Sequence, residues 1–419
     1  MKSKKIILPF FFLLFLTYSI LSIFHSAIAF NWTFQDWAIN YEGGFVRRGL
    51  SGEFIFYLSK LIFENNIQFY FGVPINLTYF YLLSLFCLIF YGLLYKLLKN
   101  IDLNFENFFI ILSPLSLSFF VYNTGAIGRK EILLFIIFLS FIYLIKFLKR
   151  RENSIFLILF SFPLIILIHE GMIFFTSIFL ILYFLSINPK NLKFSIICIY
   201  CFLFLCLLTF ITTAIYKGNT SQVEAICINL NYVKNCNGLS AIGMLSDEHT
   251  LSFEIKVLWE RILKDKYLLY YPACAILGFY PLYRYSSKYY FNIVIKSKKI
   301  KINFSILFII LFINSLPLYI FTHDWGRWLN ITYILLMITF YYLKDAEILF
   351  LPNKDKFYLF FYKPDYIKKF ILTLGLLFYS IGINISYFGG YANWINNYNM
   401  MDDKLKFYLK VIKTLPHLF

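Results

Sequence analysis

Residues 154–187 read SIFLILFSFPLIILIHEGMIFFTSIFLILYFLSI. How many times this apolar stretch crosses a bilayer decides the fold. At about 1.5 Å of rise per residue it is too long for one helix in a hydrocarbon core of about 30 Å, and short for two. Basic residues flank both ends: Arg150 and Arg151 before it, Lys190 and Lys193 after it. Positive charge collects on the cytoplasmic side of membrane proteins, so both ends belong on one side and the number of crossings is even. The stretch therefore reads as two short spans, with His169-Glu170-Gly171 at the outer turn.

The same length rule, carried outward, gives eleven candidate spans: about 6–28, 77–95, 105–122, 131–146, 154–168, 171–187, 194–215, 267–283, 303–321, 329–343 and 370–388. Composition agrees. Of 419 residues 60 % are hydrophobic and 22 % aromatic, only 15 % are charged, and the mean hydropathy is +0.70. A soluble domain is nearer a quarter charged, so a water-soluble enzyme is excluded. The net charge of +17 would suggest nucleic acid in a soluble chain. Here 23 of the 39 Lys and Arg fall in the segments read as cytoplasmic, starting with Lys2, Lys4 and Lys5, which is the usual topogenic bias and predicts no nucleic-acid partner.

The predicted fold is all-α: a polytopic membrane helix bundle of about 11 transmembrane helices, forming one domain over residues 1–419 with its N-terminus in the cytoplasm. The outer loops are about 29–76, 123–130, 216–266, 322–328 and 389–419. Two outer segments, Leu50 to Phe63 and Phe253 to Tyr267, carry apolar residues at i, i+3, i+4 and i+7 and read as interfacial amphipathic helices. The first span is too long for a cleavable signal, and no small-residue cleavage site follows Ala29. Cys227 and Cys236, both in the long loop 216–266, could pair in an oxidising compartment. No internal repeat, Gly-rich phosphate loop or HExxH motif is present.

Ionisable residues avoid the middles of the spans and gather at their outer ends. Transporters place charges at mid-depth, where ions cross, so this distribution favours chemistry at the outer face. Four clusters stand out. In the first loop, Asp36 and Glu42 are alternative general bases for an acceptor hydroxyl, Trp37 offers a stacking surface, and Arg47 and Arg48 suit an anionic phosphate. Between the third and fourth spans lies Gly128-Arg129-Lys130-Glu131, a phosphate clamp with an orienting carboxylate. The third cluster is His169-Glu170, a His held by Glu. The fourth is His323-Asp324-Trp325-Gly326-Arg327-Trp328, in which Asp324 and Arg327 share a helix face while Trp325 and Trp328 are either belt residues or a platform for a sugar ring. A blander reading of each remains: arginines on lipid headgroups, helix caps, or a solvated hairpin tip.

This arrangement resembles the GT-C superfamily of polyprenyl-phosphate-dependent glycosyltransferases. The likeness lies in a carboxylate soon after the first span, a surface helix before the second, the Gly128-Arg129-Lys130-Glu131 motif and the His323…Arg327-Trp328 run. The Gly-Phe-Val-Arg47-Arg48-Gly-Leu run is also similar to membrane proteins of bacterial surface-polysaccharide assembly, including O-antigen and capsule polymerases. The resemblance implies a multi-pass protein of the bacterial inner membrane with its active face outward. It would transfer a sugar or a glycan from a donor linked to undecaprenyl or another polyprenyl phosphate or diphosphate onto a glycan acceptor, as polymerase or single-sugar transferase. Arg47, Arg48, Arg129, Lys130 and Arg327 would bind phosphate, and Glu131, His169, Glu170, His323 and Asp324 would orient the sugars or the arginines. No cofactor is implied, and the need for a divalent metal stays open. The alternatives are a flippase or transporter of lipid-linked glycans, and a non-enzymatic partner in polysaccharide assembly.

Overall fold

The computed structural model describes residues 4–29, 31–63, 73–101, 104–123, 126–148, 151–186, 192–230, 240–247, 250–295 and 298–352, with 374–376, 379–380, 383 and 385–386 beyond them. Most of the expected span 370–388, the loop 389–419 and Cys236 lie outside the described residues.

The described chain is mostly helical. It runs α1 (Lys4–Ala29), α2 (Trp32–Ala38), α3 (Gly49–Phe63), α4 (Val73–Leu98), α5 (Phe105–Ile111), α6 (Leu117–Tyr122), α7 (Glu131–Phe147), α8 (Ile155–Ile168), α9 (Thr176–Ser186) and α10 (Leu192–Ile215). After these come α11 (Thr220–Asn229), α12 (Leu251–Lys264), α13 (Tyr267–Ser286), α14 (Ile306–Phe321) and α15 (Trp325–Asp345). Four helices are long and apolar enough to cross a membrane: Leu8–Ala29, Ile75–Leu98, Arg151–Ile168 and Lys193–Ile215. Their outward faces are apolar, as at Leu203, Phe204, Leu207 and Leu208 of α10. Such faces suit lipid, where apolar surface needs no cover.

The 154–187 stretch does break and reverse. α8 ends at Ile168, a 3-10 turn follows over Glu170–Phe175, and α9 begins at Thr176. The reversal brings Phe162 onto Phe179 with ring centroids 5.0 Å apart, and the Tyr183 hydroxyl donates to the Glu152 carbonyl at 3.5 Å. His169 and Glu170 therefore sit at the hairpin tip.

Two expectations fail. The run 105–122 is not one helix but α5 and α6, interrupted at 112–116. Pro114 supplies no N–H and disfavours helix at the residue before it. The backbone groups freed by the break are met by α15, not by water: Asn330 Nδ2 donates to the Leu115 carbonyl at 2.8 Å and Tyr333 donates to the Ile110 carbonyl at 2.8 Å. From α5, Asn107 Oδ1 accepts from Tyr341 at 2.9 Å. Gly278 of α13 lets the break pack close, since a Cβ there would stand 2.4 Å from Leu115 Cδ1. Nor is the chain wholly α. Residues taken for a basic cytoplasmic loop form an antiparallel hairpin, β1 (Tyr290–Ile295) with β2 (Lys298–Asn303), paired from Tyr290↔Asn303 to Ile295↔Lys298.

The spine of the molecule is α15. Every residue from Trp325 to Leu343 is buried, and the helix packs against α4, α7, α9, α13 and α14. A helix enclosed on all sides belongs in an interior. Its two ends, about 30 Å apart for 21 residues, define two ends of the protein. Replacing Asn330 by Leu would leave the buried Leu115 carbonyl unpaired, which typically costs about 1–3 kcal/mol. Thermal unfolding of the detergent-solubilised variant should show a corresponding loss, and an unchanged midpoint would remove α15 as the partner of the break.

Candidate active site

At the Trp325 end of α15 the four sequence clusters meet. α2 is started by Asn31, whose Oδ1 accepts from the Thr33 and Phe34 amides at 3.1 and 3.2 Å, and it ends just after Asp36. Trp37 donates its indole N–H to the Gly128 carbonyl at 2.6 Å, which ties the first loop to the 126–130 turn. Gly128 has φ +72°, a left-handed turn that glycine adopts without strain. That turn delivers Lys130 at the start of α7.

Lys130 is fully buried. Its ammonium donates to the Arg48 carbonyl at 3.2 Å and stands 3.5 Å from Asp36 Oδ1. Arg48 reaches within 3.9 Å of the same oxygen. The Arg48 fork itself grips Glu170: Nε donates to Oε2 at 2.9 Å and Nη2 to Oε1 at 2.6 Å. Arg48 holds φ +65°, an uncommon conformation for a side chain other than Gly, Asn or Asp that tends to persist where the surroundings enforce it. Arg47 lies 3.7 Å from Glu170 Oε1 and donates to the Met244 carbonyl at 3.4 Å.

On the α15 side, Arg327 forms a close ion pair with Glu131 through Nε, pairs with Asp324 at 3.4 Å, and lies 4.7 Å over the Trp328 ring. His323 stands 3.7 Å from Asp324 and 3.6 Å from Glu254 of α12. Arg129 is buried and contributes to the field at Asp36. It also lines a cavity of about 20 Å³ with Ser19, Tyr91 and Glu131, room for about one water.

The site grades from a wet rim to a dry floor. Side chains of Arg47, Arg48, Glu170 and Asp324 keep 20–27 % of their surface, whereas Asp36 and Lys130 keep 2 % and 0 %. Five cations, Arg47, Arg48, Arg129, Lys130 and Arg327, face five carboxylates, Asp36, Glu131, Glu170, Asp324 and Glu254, the last acting on Arg47 and on His323. Among the described residues His169 Nε2 and Glu131 Oε2 are buried there without a hydrogen bond, and the Asp36 oxygens have only their ion pairs with Lys130 and Arg48. His169 Nδ1 accepts from the Gly171 amide at 3.2 Å, so the proton of the neutral ring sits on Nε2 and is available to a ligand.

Electrostatics fix the protonation states. Burial pushes the Asp36 carboxyl up, but Lys130, then Arg48 and Arg129, outweigh it and hold it well below the usual carboxylate range. Burial dominates at Lys130 and brings its ammonium down to about 8, against the opposing pull of Asp36. Burial, followed by the charges of Arg327 and Arg48, drives His169 well below its ordinary value, so it is neutral near pH 7. At His323 burial acts downward, yet its bond to Glu254 and the charge of Asp324 prevail and raise it above 6.5.

Several expected roles change. Glu42 is solvent-exposed and among the described residues forms no ion pair with the cluster, which leaves Asp36 as its carboxylate base candidate. Glu170 does not hold His169; the arginines take it, because a guanidinium fork matches a carboxylate better than an imidazole does. Trp37, Trp325 and Trp328 are buried and offer no open face for a sugar. Their indoles donate to Gly128, Thr322 O and Thr322 Oγ1, so they build the walls. Glu254, Gln35 and Gln222, which bind the long 216–266 loop to the site, carry no signal in the sequence. Gln35 Oε1 accepts from the Ala241 amide at 3.1 Å, and Gln222 donates to the Phe45 carbonyl at 3.2 Å. Among the described residues no group of three His, Cys, Asp or Glu side chains is placed to hold a metal ion.

Comparison with protein-family models, with curated proteins and with solved structures finds no match. The fold and the cluster on their own define the class: a helical protein with apolar helices of membrane-spanning length and a largely buried cluster of charged side chains at one end of its central helix.

Two outcomes test this description. Lys130→Met strips the buried Asp36 of its nearest cation, and breaking a buried pair in this way costs about 3–5 kcal/mol; the adjoining double variant Asp36→Asn, Lys130→Met should recover much of the loss in thermal unfolding. His323 contributes stability that is complete below pH 6.5 and is lost as pH rises through its raised value. The unfolding midpoint should fall across that window in the parent protein and stay flatter in His323→Gln.

Proposed function

We propose that the chain is a membrane glycosyltransferase acting on polyprenyl-(di)phosphate-linked sugars in surface-polysaccharide assembly. The observation that carries the reading is the convergence of Asp36, Arg48, Lys130, His169, Glu170 and Arg327, from stretches far apart in sequence, in one charged cluster. A cluster of cations around a buried, ion-paired carboxylate suits an acceptor hydroxyl and a departing phosphate. Cys227 is disulfide-bonded, which fits a 216–266 loop on the oxidising side of the membrane. The basic residues at the Lys344 end fit the cytoplasmic side. The cluster then faces outward, where nucleotide sugars are absent and lipid-linked donors are available.

In a direct displacement the acceptor oxygen attacks the anomeric carbon and the carbon–oxygen bond to phosphate breaks. The hydroxyl proton passes to Asp36, and the electron pair leaves with the phosphate. Arg47, Arg48, Lys130 and Arg327 stabilise the charge that develops there, with Arg48 and Arg47 exchanging Glu170 for phosphate. The His169 Nε2 proton is directed to a sugar or phosphate oxygen.

A general base typically contributes about 10²–10⁴-fold. Asp36→Asn should lower sugar transfer from a lipid-linked donor by that order, and cells carrying it should make shortened surface glycans on gels. Full-length chains and full transfer in this variant would remove the role. The flippase alternative separates in the same assay, since reconstituted protein would then move lipid-linked glycan across vesicles without joining it to an acceptor. Transfer should also decline above about pH 8 as Lys130 deprotonates; a flat profile to pH 9 would exclude Lys130 from the phosphate site.

A further inference from the structure

A second, larger cavity of about 490 Å³ opens at the Lys344 end of α15, lined by Asn100, Asn104, Asn107, Tyr285, Lys288 and Lys344 among others. Arg327 and Lys344 are seventeen residues apart on one helix, about 26 Å, so this cavity is separate from the cluster at the other end. Its size suits a headgroup or a small ligand.

The lining is cationic and rich in donors. The Lys344 ammonium donates to the Tyr285 hydroxyl at 2.8 Å and stands 4.9 and 5.5 Å from the Tyr285 and Tyr289 ring centres. Lys288 lies 5.7 Å from the Tyr285 ring. Aromatic faces hold ammonium groups without neutralising them. Asp345, also on the lining, is committed to Lys146 at 2.6 Å. Among the described residues Glu106 also interacts with the cations here, and it faces three of them: Lys288, Lys344 and Arg284. The result is a cavity with surplus positive charge, three Asn side chains and tyrosine hydroxyls, a set that recognises a phosphate with neighbouring hydroxyls.

What surrounds the cavity favours a lipid as the source of that phosphate. α13, which carries Tyr285, exposes Leu277, Tyr280 and Tyr283, a surface for acyl chains. Just beyond, the β1–β2 hairpin exposes Lys299 and Lys301, and basic side chains near a membrane surface are drawn to anionic headgroups.

We infer that the cavity at the Lys344 end binds the phosphate headgroup of an anionic lipid, with Lys288 and Lys344 as its cationic contacts. The test uses the full-length protein in detergent and isothermal titration with dioctanoyl phosphatidylglycerol, dioctanoyl phosphatidylcholine and inorganic phosphate. Phosphatidylglycerol should bind at least tenfold more tightly than the other two, and its affinity should fall with added salt. The double variant Lys288→Gln, Lys344→Gln should lose at least tenfold, and Lys288→Arg, Lys344→Arg should restore most of it. Should the Gln pair fail to fold, Lys288→Gln alone must still weaken phosphatidylglycerol binding. Equal binding of phosphatidylcholine, or no effect of the Lys288 change, overturns the site. Inorganic phosphate binding as tightly as phosphatidylglycerol would assign the cavity to a soluble phosphate and overturn the lipid.

Discussion

Everything at the Trp325 end depends on neutralising Asp36. A carboxylate with 2 % of its surface exposed loses solvation worth several kcal/mol, and only close cations make its ionised form tolerable there. Lys130 and Arg48 supply them at 3.5 and 3.9 Å. Each of those cations needs its own balance. Arg48 finds it in Glu170 at the α8–α9 tip, and Lys130 in the Arg48 carbonyl. The first loop, the start of α7 and the hairpin tip are thus bound into one unit by charge. A parallel pair, Glu131 with Arg327, fastens that unit to the spine. Helices without such groups would still pack, but nothing would fix which loop faces which.

How much of this was legible in sequence follows from the range of each signal. Hydropathy acts over one helix length, so most helices, the two amphipathic segments and the reversal within 154–187 could be read directly. Local chemistry exposed the four charged clusters, because ionisable residues are sparse in so apolar a chain. The break at 112–116 was hidden by averaging: Ser113, Pro114 and Ser116 are flanked by enough Phe, Ile and Leu to look like a span, although the Pro was a visible warning. The hairpin at 290–303 was masked by its lysines. Its alternation, Lys299-Ile300-Lys301-Ile302 after Ile293-Val294-Ile295, was a strand signal read as charge. Pairings were not legible at all. That Glu170 takes Arg48 rather than His169, or that Glu254 reaches His323, depends on contacts across the fold, and no spacing in the chain encodes them.

The burial of α15 gives the two ends of the molecule a rigid relation. Its side chains serve as hydrogen-bonding partners for the broken α5–α6 segment, and irregular backbone at membrane depth is tolerated only when protein encloses it. Arg327 and Lys344 are therefore held at a fixed separation by a helix with no solvent-facing side over its buried length. On α15 the charged side chains lie at the two ends, while the polar side chains between them are buried and serve packing. A carrier would need a polar path between the ends. Among the described residues the helix running between them presents only buried side chains over Trp325 to Leu343.

The field at Asp36 bears directly on whether it could serve as a base. Held well below the usual carboxylate range, it is a weak proton acceptor in this cluster, and a base works best when its affinity for protons lies nearer the working pH. An arriving phosphate changes that balance. One negative charge about 6 Å away in an effective dielectric constant of about 20 contributes about 3 kcal/mol, equivalent to about two pH units. Withdrawal of Arg48 toward the phosphate adds to the effect, because it removes the second cation from the carboxylate. Asp36 would then gain basicity only when the donor is bound. Were the cluster to take a phosphate, the cations that would hold it are the same ones that keep Asp36 ionised and weakly basic in its absence.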